Sequence, residues 1–129
     1  MTPLLWMVAA ACGLPYLAMT GQTAAKLQAH GKYNNAAPRE QTAALDGWGK
    51  RAAWAQANTW EALPVFVAAA LTCHVAGGDG PRATALGAAW LACRVAYIAA
   101  YVGDIPTLRS LLWFGAIGAT AGLFALPVL

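Results

Sequence analysis

Asn58-Thr59-Trp60-Glu61-Ala62-Leu63-Pro64-Val65-Phe66 and Cys93-Arg94-Val95-Ala96-Tyr97-Ile98-Ala99-Ala100-Tyr101 each strand one ionisable side chain inside an otherwise apolar run. The runs, drawn over 52–76 and 82–103, approach the ~20 residues that a helix needs to cross hydrocarbon. A charge at that depth is costly, faces a protein interior or a water-filled recess, and marks function by default. Function is therefore expected where these two segments meet.

Working outward, two further apolar runs cover 3–25 and 107–126. Hydrophobic residues make up 60% of the chain and charged residues 10%, against about 25% charged in soluble domains. The composition predicts an integral membrane protein. The runs are Ala/Leu-rich without polar–apolar alternation, and an open sheet would leave backbone groups unpaired in lipid, so strands are not expected. The expected fold is all-α: one domain over 1–129, an antiparallel bundle of four transmembrane helices. A cleavable signal peptide would need a basic leading region, which the first run lacks.

Lys26, Lys32, Arg39, Lys50 and Arg51 lie in or beside the first connection, opposed there by Glu40 and Asp46. The positive-inside rule places that loop in the cytoplasm. Four crossings then put the third connection, Asp104 to Arg109, on the same side, with both termini and the Gly77–Pro81 turn opposite. The net charge of +3 is a topology signal of this loop and calls for no nucleic acid, although contact with anionic lipid headgroups fits it too. High Ala and Gly content without an organelle signal points to a bacterial inner membrane. Cys12, Cys73 and Cys93 form no CxxC pair, and His30 and His74 fall on opposite sides of the membrane, so no disulfide framework and no metal site are expected.

Pro15 and Pro64 sit within spans, where neighbouring helices can accommodate a kink. The segment 28–48 reads as a polar linker or a lid. Gly77-Gly78-Asp79-Gly80-Pro81 is a strong turn signal and makes the second and third helices antiparallel neighbours. Gly118 and Gly122 at GxxxG spacing allow close helix approach, within or between subunits.

Counted from Arg51 and Gly103, Glu61 lies about 15 Å inward and Arg94 about 13 Å at helical rise. At about 100° per residue, Arg51, Trp54, Asn58 and Glu61 share an arc of about 80°, and Arg94, Tyr97 and Tyr101 one of about 60°. The antiparallel pair thus forms a polar ladder descending from the cytoplasm. One reading is structural, with Glu61 and Arg94 neutralising each other and locking two helices. The other is a small zwitterion: carboxylates on Arg94 and the tyrosines, an ammonium on Glu61, peptide groups on Asn58. Arg109, after Pro106 at the cytoplasmic level, either snorkels to headgroups or projects over the cleft near a helix N-terminus that favours anions. A thiolate suits it, since an adjacent cation pulls a thiol of reference pKa about 8.5 toward its nucleophilic form. Ser110 can add a hydrogen bond.

Asn58-x-x-Glu61-x-x-Pro64-x-Phe66, Arg94-x-x-Tyr97-x-x-x-Tyr101 and Arg109-Ser110 resemble the signatures of the MAPEG family, membrane-associated proteins of eicosanoid and glutathione metabolism. The match in spacing and order runs from about Arg51 to the C-terminus. The resemblance implies a homotrimer of four-helix protomers, with glutathione as co-substrate between subunits near the cytoplasmic face and lipophilic substrates arriving from the bilayer. It implies that Gln56, Asn58, Glu61, Arg94, Tyr97 and Tyr101 hold glutathione and that Arg109, beside Ser110, stabilises its thiolate. The chemistry is attack on a lipophilic electrophile or a lipid hydroperoxide. Family members that use glutathione usually carry Arg where this chain has Trp54. Arg51, one turn nearer the cytoplasm on the same face, is expected to substitute, and Lys26 of an adjacent subunit is a further candidate cation. The family also contains a non-enzymatic, lipid-binding member, so a scaffold stands beside the enzyme as an alternative. A small transporter ranks below both, because no internal repeat is visible.

Overall fold

The computed structural model describes residues 1–128 and, among them, is helical without strands. In chain order the helices are α1 (Pro3–His30), α2 (Pro38–Ala43), α3 (Gly47–Val75), α4 (Pro81–Val102) and α5 (Pro106–Ala125), followed by a 3₁₀ turn at Leu126–Val128. Proline opens α1, α2, α4 and α5, where its missing N–H would have had no intrahelical acceptor and its fixed φ suits the first turn. Thr2 caps α1 by accepting the Leu5 N–H at 3.4 Å. The helix, expected over 3–25, runs on to His30 and stops at Gly31, whose φ of 71° lets its N–H close on the Leu27 carbonyl at 2.8 Å.

Among the described residues three helical segments, Pro3–His30, Pro81–Val102 and Pro106–Val128, are long and apolar enough to cross a membrane. The chain is an integral membrane protein on that basis. The sequence predicts four such helices. α3 has the length, 29 residues, but Gln56, Asn58, Thr59 and Glu61 make it the most polar of the long helices.

Antiparallel packing of α3 and α4 is visible at their shared end, where Arg51 near the start of α3 donates from Nε to the Val102 carbonyl at the end of α4, 3.1 Å away. The first and third connections therefore lie on one face of the bundle, and the Gly77–Gly80 turn on the other. α3 and α4 pack against each other and each against both α1 and α5. Leu14 of α1, Phe66 and Cys73 of α3, Trp90 of α4 and Leu123 of α5 meet in the core. Phe66 and Trp90 stack with centroids 3.9 Å apart and planes 12° from parallel, both fully buried.

The segment between α1 and α3 differs from a plain linker. Buried Gln41 of α2 donates to the Lys32 carbonyl at 2.8 Å and accepts from the Asn34 N–H at 2.9 Å. Asn34 in turn accepts from the Ala36 and Ala37 N–H groups, both at 3.1 Å, and Lys26 Nζ reaches the Pro38 carbonyl at 3.0 Å. These side chains supply the backbone partners that a polar loop lacks in its own pattern, which is why composition alone reads it as unstructured.

Close helix approach occurs elsewhere than the GxxxG spacing suggests. A Cβ at Gly87 of α4 would stand 2.7 Å from Met7 Sδ and 3.1 Å from Leu4 Cδ1 of α1, whereas one at Gly118 would meet nothing within 4 Å. Gly122 is tight against Leu86, at 3.0 Å. Only one member of the GxxxG pair is thus used inside the protomer. Gly87→Leu is expected to lower the thermal unfolding midpoint in detergent, since overpacking costs about 1–3 kcal/mol, while Gly118→Leu leaves it near the wild-type value. Equal losses from both would mean that α5 packs this glycine against a second chain.

Candidate functional site

Arg94 is fully buried among α3, α4 and α5. Its Nη2 donates to Asn58 Oδ1 at 3.1 Å and to Thr59 Oγ1 at 3.3 Å. Thr59 is itself oriented by donating to the Ala55 carbonyl one turn back, at 2.7 Å, which leaves an oxygen lone pair free for the guanidinium. The Asn58 amide then donates to Glu61 Oε2 at 3.1 Å. The expected meeting of Glu61 and Arg94 is therefore indirect, with Asn58 spending its oxygen on the base and its nitrogen on the acid. Glu61 is exposed rather than sealed against Arg94. The physical reason is spacing: Asn58 and Glu61, three apart on one helix, are neighbours, and Asn58 and Thr59 are the side chains of α3 that reach Arg94.

Two N–H-bearing atoms of that guanidinium, Nε and Nη1, are buried without a hydrogen-bond partner. The ring of Tyr97, 4.3 Å from the guanidinium carbon, offsets part of the charge through its π face. A buried donor left unmet costs more than a typical hydrogen bond contributes, so the group is suited to an acceptor that arrives from outside. It has somewhere to arrive. Arg94, Asn58 and Glu61 line the polar end of a cavity of about 390 Å³ whose other walls include Trp90, Trp113, Ile117 and Phe124.

A second cavity, about 250 Å³, lies between α4 and α5 and is lined by Tyr97, Tyr101, Arg109, Ser110, Trp113 and Phe114. Its shape depends on the α4–α5 corner. Asp104 adopts a positive φ of 60°, a conformation that Asp tolerates better than most residues, and the Ile105 N–H closes on the Ala100 carbonyl at 2.9 Å. The chain reverses at once, and α5 brings Arg109 back over the Tyr101 ring, 4.7 Å from its centroid. Tyr97 and Tyr101 meet edge to face at 5.5 Å. Arg94, Tyr97, Tyr101 and Arg109 consequently form one continuous file, a cation at each end and two phenols between.

Three predicted residues lie away from both cavities. Arg51 is committed to the end of α4, through the Val102 carbonyl and an ion pair of 3.8 Å with Asp104. The last carbonyls of a helix have no intrahelical donor, and this guanidinium serves one of them. In this position it lines neither cavity. The Lys50 Nζ lies 5.4 Å from the Trp54 ring centre, with Trp54 tilted against Tyr101 at 6.4 Å. Gln56 points to α1, accepting from Gln22 Nε2 and donating to the Pro15 carbonyl at 3.5 Å. Two residues before Asn58, it emerges about 200° away around the helix. Lys26, a candidate cation for a neighbouring subunit, is buried and held by the Pro38 carbonyl and by the ring of Tyr33 at 5.0 Å.

Sequence reasoning missed Thr59 and Trp113. Thr59 sits beside Asn58 but reads as an ordinary small helix residue. Trp113, one turn beyond Arg109 on the same face of α5, was visible as an i, i+4 neighbour, and it is the one side chain that lines both cavities.

Comparison with curated proteins gives no match, and neither does comparison with solved structures. The family model described as the MAPEG family matches residues 3–129, and so covers the helices that carry Asn58, Glu61, Arg94, Tyr97, Tyr101 and Arg109. With that match across essentially its whole length, the chain belongs to the MAPEG family, whose members include glutathione transferases and related proteins.

Proposed function

We propose that this protein is a membrane-bound glutathione-dependent transferase or peroxidase, acting on a lipophilic electrophile or a lipid hydroperoxide. The observation that carries the reading is the buried Arg94 guanidinium, with two donors unmet, at the polar end of a cavity that also contains Glu61. Glutathione brings what these groups lack: carboxylates for Arg94, an ammonium for Glu61, and peptide groups for Asn58. Tyr97 and Tyr101 line the path from there to Arg109, which holds the sulfur as thiolate with help from Ser110.

In conjugation the thiol proton leaves to water, the sulfur forms a bond to the electrophilic carbon, and the displaced electron pair departs with the leaving group or is protonated. In peroxide reduction the thiolate attacks the terminal peroxide oxygen, the O–O bond breaks, and the alkoxide takes a proton. A second glutathione then converts the sulfenic product to disulfide and water. The cation at the sulfur favours both routes by the same means.

The assembly completing this reading is a homotrimer of four-span protomers, α3 being the fourth span, with the basic first and the third connection in the cytoplasm of a bacterial cell and glutathione between subunits. Gln56 then serves the ligand of the adjacent subunit, because it faces away from Asn58 in its own. Trp54 is the observation that favours a second reading, a non-catalytic lipid-binding scaffold, since it occupies the place of a cation in the family's glutathione users.

Titration of the detergent-solubilised protein with glutathione, followed by calorimetry or thermal shift, separates the two. Saturable binding is expected, weakened at least tenfold by Arg94→Ala, in line with about 1.5–3 kcal/mol for a hydrogen bond to a charged group. No binding by the wild type would support the scaffold. Arg109→Ala is expected to lower kcat with a model electrophile more than it raises the KM for glutathione. Because the cation favours the anion, the rise of rate with pH should also move to higher pH in that variant, toward the reference thiol pKa of about 8.5.

A further inference from the structure

Between the last turn of α4 and the first of α5 the chain has only Gly103, Asp104 and Ile105 in which to reverse. No residue from Gly103 to Gly115 is fully buried in the protomer, and Ala116 is the first buried residue of α5. Core packing therefore does not fix the half of α5 that carries Arg109, and the corner has to place it. The Arg109 N–H closes on the Ile105 carbonyl at 3.0 Å, so the helical turn bearing Arg109 starts from the corner itself.

Among the described residues Arg51 is the one side chain of another helix that bonds to this corner. Its Nε donates to the Val102 carbonyl at 3.1 Å, and its Nη1 lies 3.8 Å from Asp104 Oδ2. The two contacts act differently. The carbonyl is one of those that end a helix without an intrahelical donor, so the bond to it holds the end of α4 against α3. Asp104 carries the positive φ that turns the chain, a backbone setting most side chains avoid. With 70% of its side chain exposed, the ion pair contributes little energy, but it lays the guanidinium against the residue that makes the reversal. The tyrosines are held separately, Tyr101 against Trp54 of α3 and against Tyr97.

We propose that Arg51 is a positioning residue. By pinning the α4–α5 corner to the start of α3, it sets where the Arg109 guanidinium stands over Tyr101, and so how strongly that cation holds the sulfur as thiolate. The inference rests on the glutathione reading above and adds a residue that lines neither cavity. Without Arg51 the corner follows an unburied helix end, while Asn58, Arg94 and the tyrosines keep their places. Ligand binding survives and thiolate stabilisation is lost.

The test compares wild type, Arg51→Ala, Arg109→Ala, the double variant, Asp104→Ala and Asp104→Asn in detergent. Each is assayed with glutathione and a model electrophile across pH, and titrated calorimetrically with S-methylglutathione, which has no thiol to ionise. Arg51→Ala should lower kcat about tenfold, since a misplacement of about 1 Å can cost about a hundredfold. Its rise of rate should move to higher pH, in the direction of Arg109→Ala, because a displaced cation favours the thiolate less. Its affinity for S-methylglutathione should stay within about twofold of wild type, the sign of an interaction lost from the reaction and not from binding. The double variant should be no slower than Arg109→Ala alone, because the cation through which Arg51 acts is already gone. Asp104→Ala should share the Arg51→Ala signature with Arg51 intact, whereas Asp104→Asn, which tolerates the left-handed backbone, should stay close to wild type. That pair carries the test if Arg51→Ala does not fold. Rate losses that multiply in the double variant would overturn the proposal, as would a loss of S-methylglutathione affinity with an unmoved pH profile, or wild-type kinetics in Arg51→Ala. A pH profile left unchanged by Arg109→Ala would instead remove the thiolate reading, and this inference with it.

Discussion

A guanidinium held in an apolar interior is the constraint around which this protein is arranged. Arg94 is fully buried, so the surrounding helices must supply oxygen atoms and a π face. Asn58 and Thr59 supply the oxygens and Tyr97 the face. The cost appears in α3, whose polar residues make it less apolar than the other long helices and leave it short of the composition that marks a membrane span. Part of the polarity of that helix, at Asn58 and Thr59, follows from its place beside Arg94.

The remaining geometry transmits this anchor to the face carrying the first and third connections. Tyr97 links Arg94 to Tyr101, and the immediate reversal at Asp104 returns α5 so that Arg109 covers Tyr101. Arg51 closes the same end by tying α3 to the last turn of α4. At the opposite end of the cavity the stacked Phe66 and Trp90 and the close contact at Gly87 hold α1, α3 and α4 together. Rigid apolar packing on one side and a file of cations and phenols on the other give a cavity that is polar at one end and largely apolar along its length.

Much of this was legible in the chain. The depth of Arg94 and Glu61 follows from helical rise, and their facing from the 100° repeat, so both were expected at one recess and both line one cavity. The family was legible too, because its signatures consist of side chains at helical spacing. Arg51 and Gln56 were read differently for contrasting reasons. Arg51 shares a face with Asn58, yet its guanidinium donates to the Val102 carbonyl at the end of α4. Gln56 was assigned by resemblance, although its helical angle already turned it away from Asn58 and toward α1. The first connection was opaque because its order comes from side chains such as Gln41 capping distant backbone groups, an arrangement with no periodic signature.

Periodicity and hydropathy act locally, since a helix in lipid must satisfy its own backbone and will bury whichever face is able to pack. Residue spacing alone therefore established the helical membrane character, the antiparallel relation of the middle helices and the residues sharing each face. Which partner each polar group takes depended on competition in three dimensions, and no local rule ranks those partners. Packing decided that Asn58 stands between Glu61 and Arg94, that Arg51 belongs to a helix end, and that Trp113 separates two cavities. Those outcomes turn on differences of an ångström or two between side chains brought together from α3, α4 and α5.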